Sequence, residues 1–168
     1  NFGSNLDTEW AIAVTVKNVS SDGRIVFGDS STSSGGSSSG GTRLDLRLST
    51  NQAPVFNLTD LDGNTLTVES STAIDTNKHR LVFNKTGNQA SDLEIWQDNT
   101  NASVTVQNDE AFSNVKDFDL QPVVVGYKQF NGGYATGYQD YIVDDLRICD
   151  SSLTSTEIDT DYNNQPWV

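Results

Sequence analysis

The sequence has no methionine, one cysteine and one histidine among 168 residues. The lone Cys149 cannot form an internal disulfide, so the fold must rely on a noncovalent core. Without methionine the chain has either lost its initiator or is a segment of a longer protein, and its start lacks the basic and apolar regions of a signal peptide. No apolar run approaches the roughly 20 residues of a membrane span. We therefore expect one domain over residues 1–168, without membrane insertion.

Basic residues are also scarce. Ten Lys and Arg face 23 Asp and Glu, which gives a formal net charge of −13. Such a surface repels nucleic-acid phosphates and anionic membranes. The charge therefore predicts no nucleic-acid partner.

The sequence instead contains many short segments in which apolar and polar residues alternate. In Trp10–Val16 one face carries Trp, Ile and Val and the other Ala and Thr, a pattern that indicates a core strand. In Leu44–Ser49 leucines alternate with polar residues, which predicts a half-exposed strand with a solvated face. About ten strands are expected. The others are Arg24–Phe27, Val55–Thr59, Thr65–Val68, Arg80–Phe83, Asp92–Trp96, Ser103–Val106, Pro122–Tyr127 and Tyr141–Ile148.

The connections between these strands are polar. A Gly/Ser tract over residues 28–41 predicts a loop. Asp62-Gly63 predicts a hairpin turn, and the resemblance of Asp60–Asn64 to a calcium loop fails because Ser71 stands where an EF-hand needs Glu.

One segment departs from the strand pattern. Thr154-Ser155-Thr156-Glu157 has the form of a capping box and predicts a short helix over Ser155–Tyr162. Together the patterns predict an all-β, two-sheet antiparallel β-sandwich with one short C-terminal helix.

The closing segment, Tyr141–Ile158, resembles the end of laminin-G-like, concanavalin A-like jelly rolls, which have the form I-D-E-V-R-I-Y, a loop, then L-S-x-x-E-I-x-x-L-Y. His79–Phe83 and Leu93–Asp98 match further segments of that family. Lys78 and Cys149 depart from its usual Trp and Tyr. The resemblance implies a jelly-roll fold across residues 1–168, and fold alone does not fix function.

A possible metal site involves Asp144. Strict alternation places Asp144 on the face of Ile142 and Leu146, and a core-facing carboxylate must be paired or bound. The resemblance implies a structural calcium site here, with Asp7 as the nearest candidate partner. The alternative is that Asp144 only accepts hydrogen bonds.

Two groups of aromatic residues are candidates for ligand binding. Trp96 shares a face with Glu94 and either stacks on a sugar or packs beneath the Gly/Ser loop. Tyr127, Phe130, Tyr134 and Tyr138 alternate with glycines. They suit either a binding surface or aromatic rungs of the closing hairpins.

Catalysis is not expected. Laminarinase-type hydrolases share this fold and carry alternating carboxylates on a strand, but Glu157-Ile158-Asp159 falls in the predicted helix. His79 is the lone histidine and has no second anchor for a catalytic triad.

These observations predict a non-catalytic recognition or adhesion module on a cell, secreted protein or virion surface. By resemblance its partner is a glycan or surface glycoprotein. The alternative is an architectural protein, such as a virion decoration, fibre or filament subunit, whose interface is protein.

Overall fold

The computed structural model describes residues 9–17, 23–29, 42–113, 124–130, 133–138 and 142–164. Side chains are described for all of these except 23, 27–29, 124–130 and 133–138. The described residues form one α-helix and twelve strands: β1 Trp10–Lys17, β2 Gly23–Asp29, β3 Arg43–Leu48, β4 Pro54–Thr59, β5 Thr65–Ser70, β6 His79–Lys85, β7 Leu93–Gln97, β8 Thr100–Asn101, β9 Val104–Asp109, β10 Val124–Phe130, β11 Gly133–Tyr138, β12 Ile142–Cys149 and α1 Ser155–Asn163.

The strands form two antiparallel sheets. Sheet A has the order β12-β1-β6-β7-β8, and sheet B has the order β11-β10-β2-β3-β4-β5-β9. The predicted β-sandwich with a C-terminal helix is confirmed. The count of about ten strands was too low because β8 has only two residues and β11 is a glycine-rich segment without a clear alternation.

The two sheets share one apolar core. Phe56 of sheet B lies between two aromatic residues of sheet A, with its ring centroid 5.4 Å from Trp10 and 5.7 Å from Phe83. The tilted and edge-to-face angles of 56° and 85° are those that aromatic pairs prefer. The inner faces of the two sheets pack against each other, so a binding site on a sheet face is expected on the outer side.

Helix α1 packs on the outer face of sheet A. Its predicted capping box is confirmed, because Thr154 Oγ1 accepts a hydrogen bond from Glu157 N and the Glu157 carboxylate accepts one from Thr154 N. Ile158 is buried against Ala11, Ala13 and Val82. The two small alanines allow the helix to approach the sheet closely. No helix in the described ranges is long and apolar enough to cross a membrane.

A buried arginine joins this helix to the sheet. The side chain of Arg80 is 1% exposed, its Nε donates to Asp161 of α1 at 2.8 Å and its Nη1 donates to the carbonyl oxygen of Asp145 at 2.7 Å. Its Nη1 also donates to Thr15 Oγ1 at 3.2 Å. Arg80 therefore connects β1, β6, β12 and α1.

The connection between β4 and β5 is the predicted hairpin turn. Gly63 has φ +88°, a conformation that glycine adopts without strain. The Asp60 carboxylate accepts hydrogen bonds from the backbone N–H groups of Asp62 and Asn64, both at 2.9 Å. The Asp60 carboxylate thus stabilises the predicted hairpin turn.

Replacing Arg80 tests the helix attachment. We expect Arg80→Met to lower the free energy of unfolding by about 3–5 kcal/mol, because it removes the buried cation that pairs with the Asp161 carboxylate and connects α1 to the sheet. Urea unfolding at neutral pH measures this change. Arg147→Gln is the matched control, since the 45% exposed Arg147 side chain contacts the same carboxylate and should contribute less than about 1 kcal/mol. Equal losses in the two variants would contradict the assignment.

Candidate functional site

The outer face of sheet B carries a set of charged residues from one strand. In β3 the leucines Leu44, Leu46 and Leu48 are fully buried in the core. Strand alternation therefore turns the intervening residues outward. These are two arginines, Arg43 and Arg47, on either side of Asp45.

These side chains line a polar cavity of about 460 Å³. Four neighbouring strands and the β4–β5 turn contribute its described lining, which is Arg24, Arg43, Asp45, Arg47, Asn57, Thr59, Gly63 and Thr65. The pairing of Arg24 with Arg47 across β2 and β3 places these two arginines at neighbouring positions of the sheet. The lining is rich in hydrogen-bonding groups and suits a hydrophilic ligand.

Asp45 is the acidic residue of this described lining. One of its carboxylate oxygens lies 3.3 Å from Arg24 Nη2, and both side chains are less than 10% exposed. Burial raises the pKa of Asp45 and outweighs the opposing effect of Arg24, Arg47 and Arg43. The prediction of a solvated face for β3 was therefore wrong at Asp45, because the longer side chains of Arg24, Arg43 and Arg47 lie close to it.

The sequence reasoning did not identify this cavity. The signal was present in the alternation of Arg43, Asp45 and Arg47, which puts three charges on one face of a strand. The contributions of Arg24 and Asn57 could not be found in this way, because strand order decides which residues become neighbours.

The predicted tyrosine cluster lies on the two strands beside this cavity. Tyr127 of β10 is paired with Arg24 of β2 and with Tyr138 of β11. Tyr134 is paired with Gln129, and Phe130 with Gly133. The backbone thus places Tyr127 at the register position next to a cavity residue, while the side chains of these residues lie outside the described set. Their role in binding stays a prediction.

Trp96 lies on the other sheet. It is half-buried on the outer face of sheet A, where it packs against the cluster of Ala11, Ala13, Val82 and Ile158. Its indole Nε1 donates to Glu94 at 3.1 Å, so the predicted shared face of Trp96 and Glu94 is confirmed. The structure does not bring Trp96 together with the tyrosines, because the two groups belong to different sheets. The Gly/Ser loop lies outside the described residues.

The prediction that Asp144 faces the core was wrong. Ala13 pairs with Arg147 and Thr15 pairs with Asp144, so β12 has one extra residue at this point. Asp145, with φ +45°, lies within this bulge. A bulge interrupts strand alternation, and it leaves Asp144 exposed, with its carboxylate accepting a hydrogen bond from Asp145 N at 2.8 Å.

The described part of the chain provides no set of calcium ligands around Asp144. Three or more His, Cys, Asp or Glu residues placed to hold a metal ion are not found among the described residues. The other predicted ligand, Asp7, lies outside them. Calcium therefore stays a prediction from the resemblance.

His79 bridges two carboxylates. Its Nδ1 lies 2.7 Å from Asp98 Oδ2 and its Nε2 lies 2.9 Å from Asp75 Oδ1. Burial alone would lower the pKa of His79, but the hydrogen bonds and charges of Asp75 and Asp98 outweigh it and raise the pKa above 6.5. Both ring nitrogens thus connect the first residue of β6 to these two carboxylates.

The carboxylates of α1 also have structural partners. Glu157 closes the capping box, Asp159 accepts from Asn99, and Asp161 accepts from Arg80. As predicted, Glu157 and Asp159 lie on a helix and lack the shared face that alternation on a strand would give.

Searches against known proteins show what this fold is similar to. No protein-family model and no curated protein sequence matches the chain. Among solved structures it is similar to mouse laminin α1 domains LG4-5, with 9% identity, a TM-score of 0.60, and coverage of 90% of this chain and 38% of that one. The Ruminococcus gnavus IT-sialidase CBM40 bound to α2,3-sialyllactose has 12% identity, a TM-score of 0.60, and coverage of 92% and 83%.

A third similar structure is the heptameric SAP-like pentraxin of Limulus polyphemus, with 10% identity and a TM-score of 0.56 over 92% of this chain and 69% of that one. At these identities the similarity establishes the fold. The predicted concanavalin A-like jelly roll is confirmed.

The single histidine permits a direct test of the His79 bridge. We expect its imidazole resonances to titrate above the ordinary pKa of about 6.5 in proton NMR. Because the folded-state pKa is raised, the stability that His79 contributes is fully present below the unfolded pKa and is lost as the pH rises through the folded pKa. Asp75→Asn should move the titration back towards the ordinary value. A wild-type pKa at or below 6.5 would contradict the bridge.

Proposed function

We propose that this concanavalin A-like jelly roll is a non-catalytic recognition module that binds a glycan in the polar cavity on sheet B. The observation that carries the proposal is the cavity itself, an open site lined by guanidinium, carboxylate, amide and hydroxyl groups. Sugars present many hydroxyl groups in a fixed arrangement, so a rigid sheet with several donors and acceptors suits them.

The rigidity of this surface supports the proposal. The strands that line the cavity have their inner faces in the core, where Leu46, Phe56 and Leu58 are fully buried. The lining residue Asn57 donates from Nδ2 to Thr67 Oγ1 of β5 at 2.6 Å. Side chains that are already oriented lose little conformational entropy when a ligand binds.

The similar structures provide independent support. One is the IT-sialidase CBM40 bound to α2,3-sialyllactose, and its alignment with this chain covers 83% of the CBM40 chain. We propose by analogy that this protein acts at a cell, secreted-protein or virion surface, with a glycan or glycoprotein as its partner. Bound calcium and the absence of catalysis belong to the same proposal.

An architectural role is the second candidate. Strand β12 stands at one end of the described order of sheet A, and its side chains Ile142, Leu146 and Ile148 are exposed. Exposed apolar groups on an edge strand suit a protein interface of a virion or filament subunit. Concentration-dependent assembly in analytical ultracentrifugation, together with no glycan binding, would favour this role.

A glycan array with calcium present tests the first candidate. We expect Asn57→Leu to weaken binding by about tenfold or more, because an apolar side chain replaces a hydrogen-bonding amide in the cavity. Thr105→Leu is the matched control, since Thr105 is an exposed residue of β9 outside the described lining. It should bind like the wild type.

Trp96→Ala tests whether the glycan binds instead on the outer face of sheet A, beside Trp96. If the site lies in the cavity, this variant keeps its glycan affinity while its melting temperature falls, because Trp96 packs against Val82 and Ile158. Loss of binding in Trp96→Ala but not in Asn57→Leu would move the site to sheet A. No glycan binding by the wild type would overturn the proposal.

A further inference from the structure

The cavity on sheet B concentrates positive charge in an acidic protein. The chain has ten basic residues, and three of them, Arg24, Arg43 and Arg47, line this cavity beside the single acid Asp45 of its described lining. Three cations and one anion leave a local charge of +2, against −13 for the whole chain. A concave site of one sign focuses the electrostatic potential and draws in ligands of the opposite sign.

Two buried polar atoms of cavity-lining residues lack hydrogen-bond partners among the described residues. Asp45 Oδ1 and Arg47 Nε are both buried, and neither has a partner among the described residues. The Asp45 side chain is only 7% exposed, and its ion pair with Arg24 runs through the other oxygen. Buried polar groups without partners are unfavourable, so a ligand that satisfies both atoms gains affinity from them.

The two atoms require opposite kinds of partner. Arg47 Nε needs an acceptor, and an oxyanion such as a carboxylate matches the planar guanidinium better than a neutral acceptor because it can take two parallel, charge-assisted hydrogen bonds. Asp45 Oδ1 needs a donor, which the carboxylate cannot supply. A hydroxyl group held close to the carboxylate on the same molecule supplies it.

We propose that the cavity recognises an acidic sugar, with the carboxylate bound by Arg47 and its neighbouring arginines and a ring or side-chain hydroxyl donating to Asp45. This inference rests on the proposed function and names the ligand class of the same site. Asn57 and Thr59 line the same cavity and supply further donors and acceptors for the remaining hydroxyls. A cavity of about 460 Å³ holds one or two sugar units.

The test uses acidic sugars beside neutral counterparts with the same hydroxyls. Isothermal titration calorimetry compares galacturonate trisaccharide with its methyl ester, and sialyllactose with its methyl ester. We expect at least one acidic probe to bind about tenfold or more tightly than its neutral counterpart, the effect typical of a charge-assisted hydrogen bond. Sulfated lactose distinguishes recognition of a carboxylate from recognition of a sulfate. It should bind more weakly than the preferred acidic probe.

Arg47→Gln removes one of the three cations of the described lining, the one whose Nε lacks a partner, and should reduce the preference for the acidic probe. Arg147→Gln makes the same change of charge on the other sheet, where its side chain is 45% exposed, and should keep the preference. Urea unfolding of both variants shows that each is folded before binding is compared.

The outcomes separate this inference from the proposed function. Equal binding of acidic and neutral probes overturns the acidic-sugar inference and leaves glycan binding in place. Tighter binding of sulfated lactose than of the carboxylate probes also overturns the acidic-sugar inference. An unchanged preference for the acidic over the neutral probe in Arg47→Gln does the same. Binding to no glycan overturns both.

Discussion

The apolar layer between the two sheets is the constraint on which the rest of the structure depends. Phe56 of sheet B packs against Trp10 and Phe83 of sheet A, and β1, β3 and β4 each turn every second residue into this layer. Because one face of these strands is committed to the core, their remaining residues must lie on the outer face. The charged residues of β3 face outward for this reason, with no additional force needed to place them.

The two outer faces have different roles. On sheet A the small residues Ala11 and Ala13 admit helix α1, and Arg80 attaches it through Asp161. On sheet B the outward residues are long and charged, and they surround a cavity. A buried ion pair requires good geometry to offset its desolvation. Arg80 has such partners in Asp161 and Asp145, whereas Arg47 Nε on sheet B has no hydrogen-bond partner among the described residues.

Local patterns predicted much of the fold. The alternation in β1 and β3, the Asp-Gly turn and the Thr154–Glu157 capping box all depend on residues close in the chain, and all were found where expected. Asp144 was placed on the wrong face because one extra residue in β12 reverses the alternation. Whether a strand accommodates a bulge depends on its partner strand, which the sequence of β12 does not specify.

The sequence by itself determined the β-sandwich, the single capped helix and the acidic charge, since these follow from local periodicity and composition. The tertiary structure alone decided which residues share a site. Strand pairing placed Arg24 beside Arg47 and left Trp96 on the opposite sheet from Tyr127. The physical reason is that hydrogen bonds between strands join residues far apart in the chain, so the neighbours of an outward side chain depend on strand order.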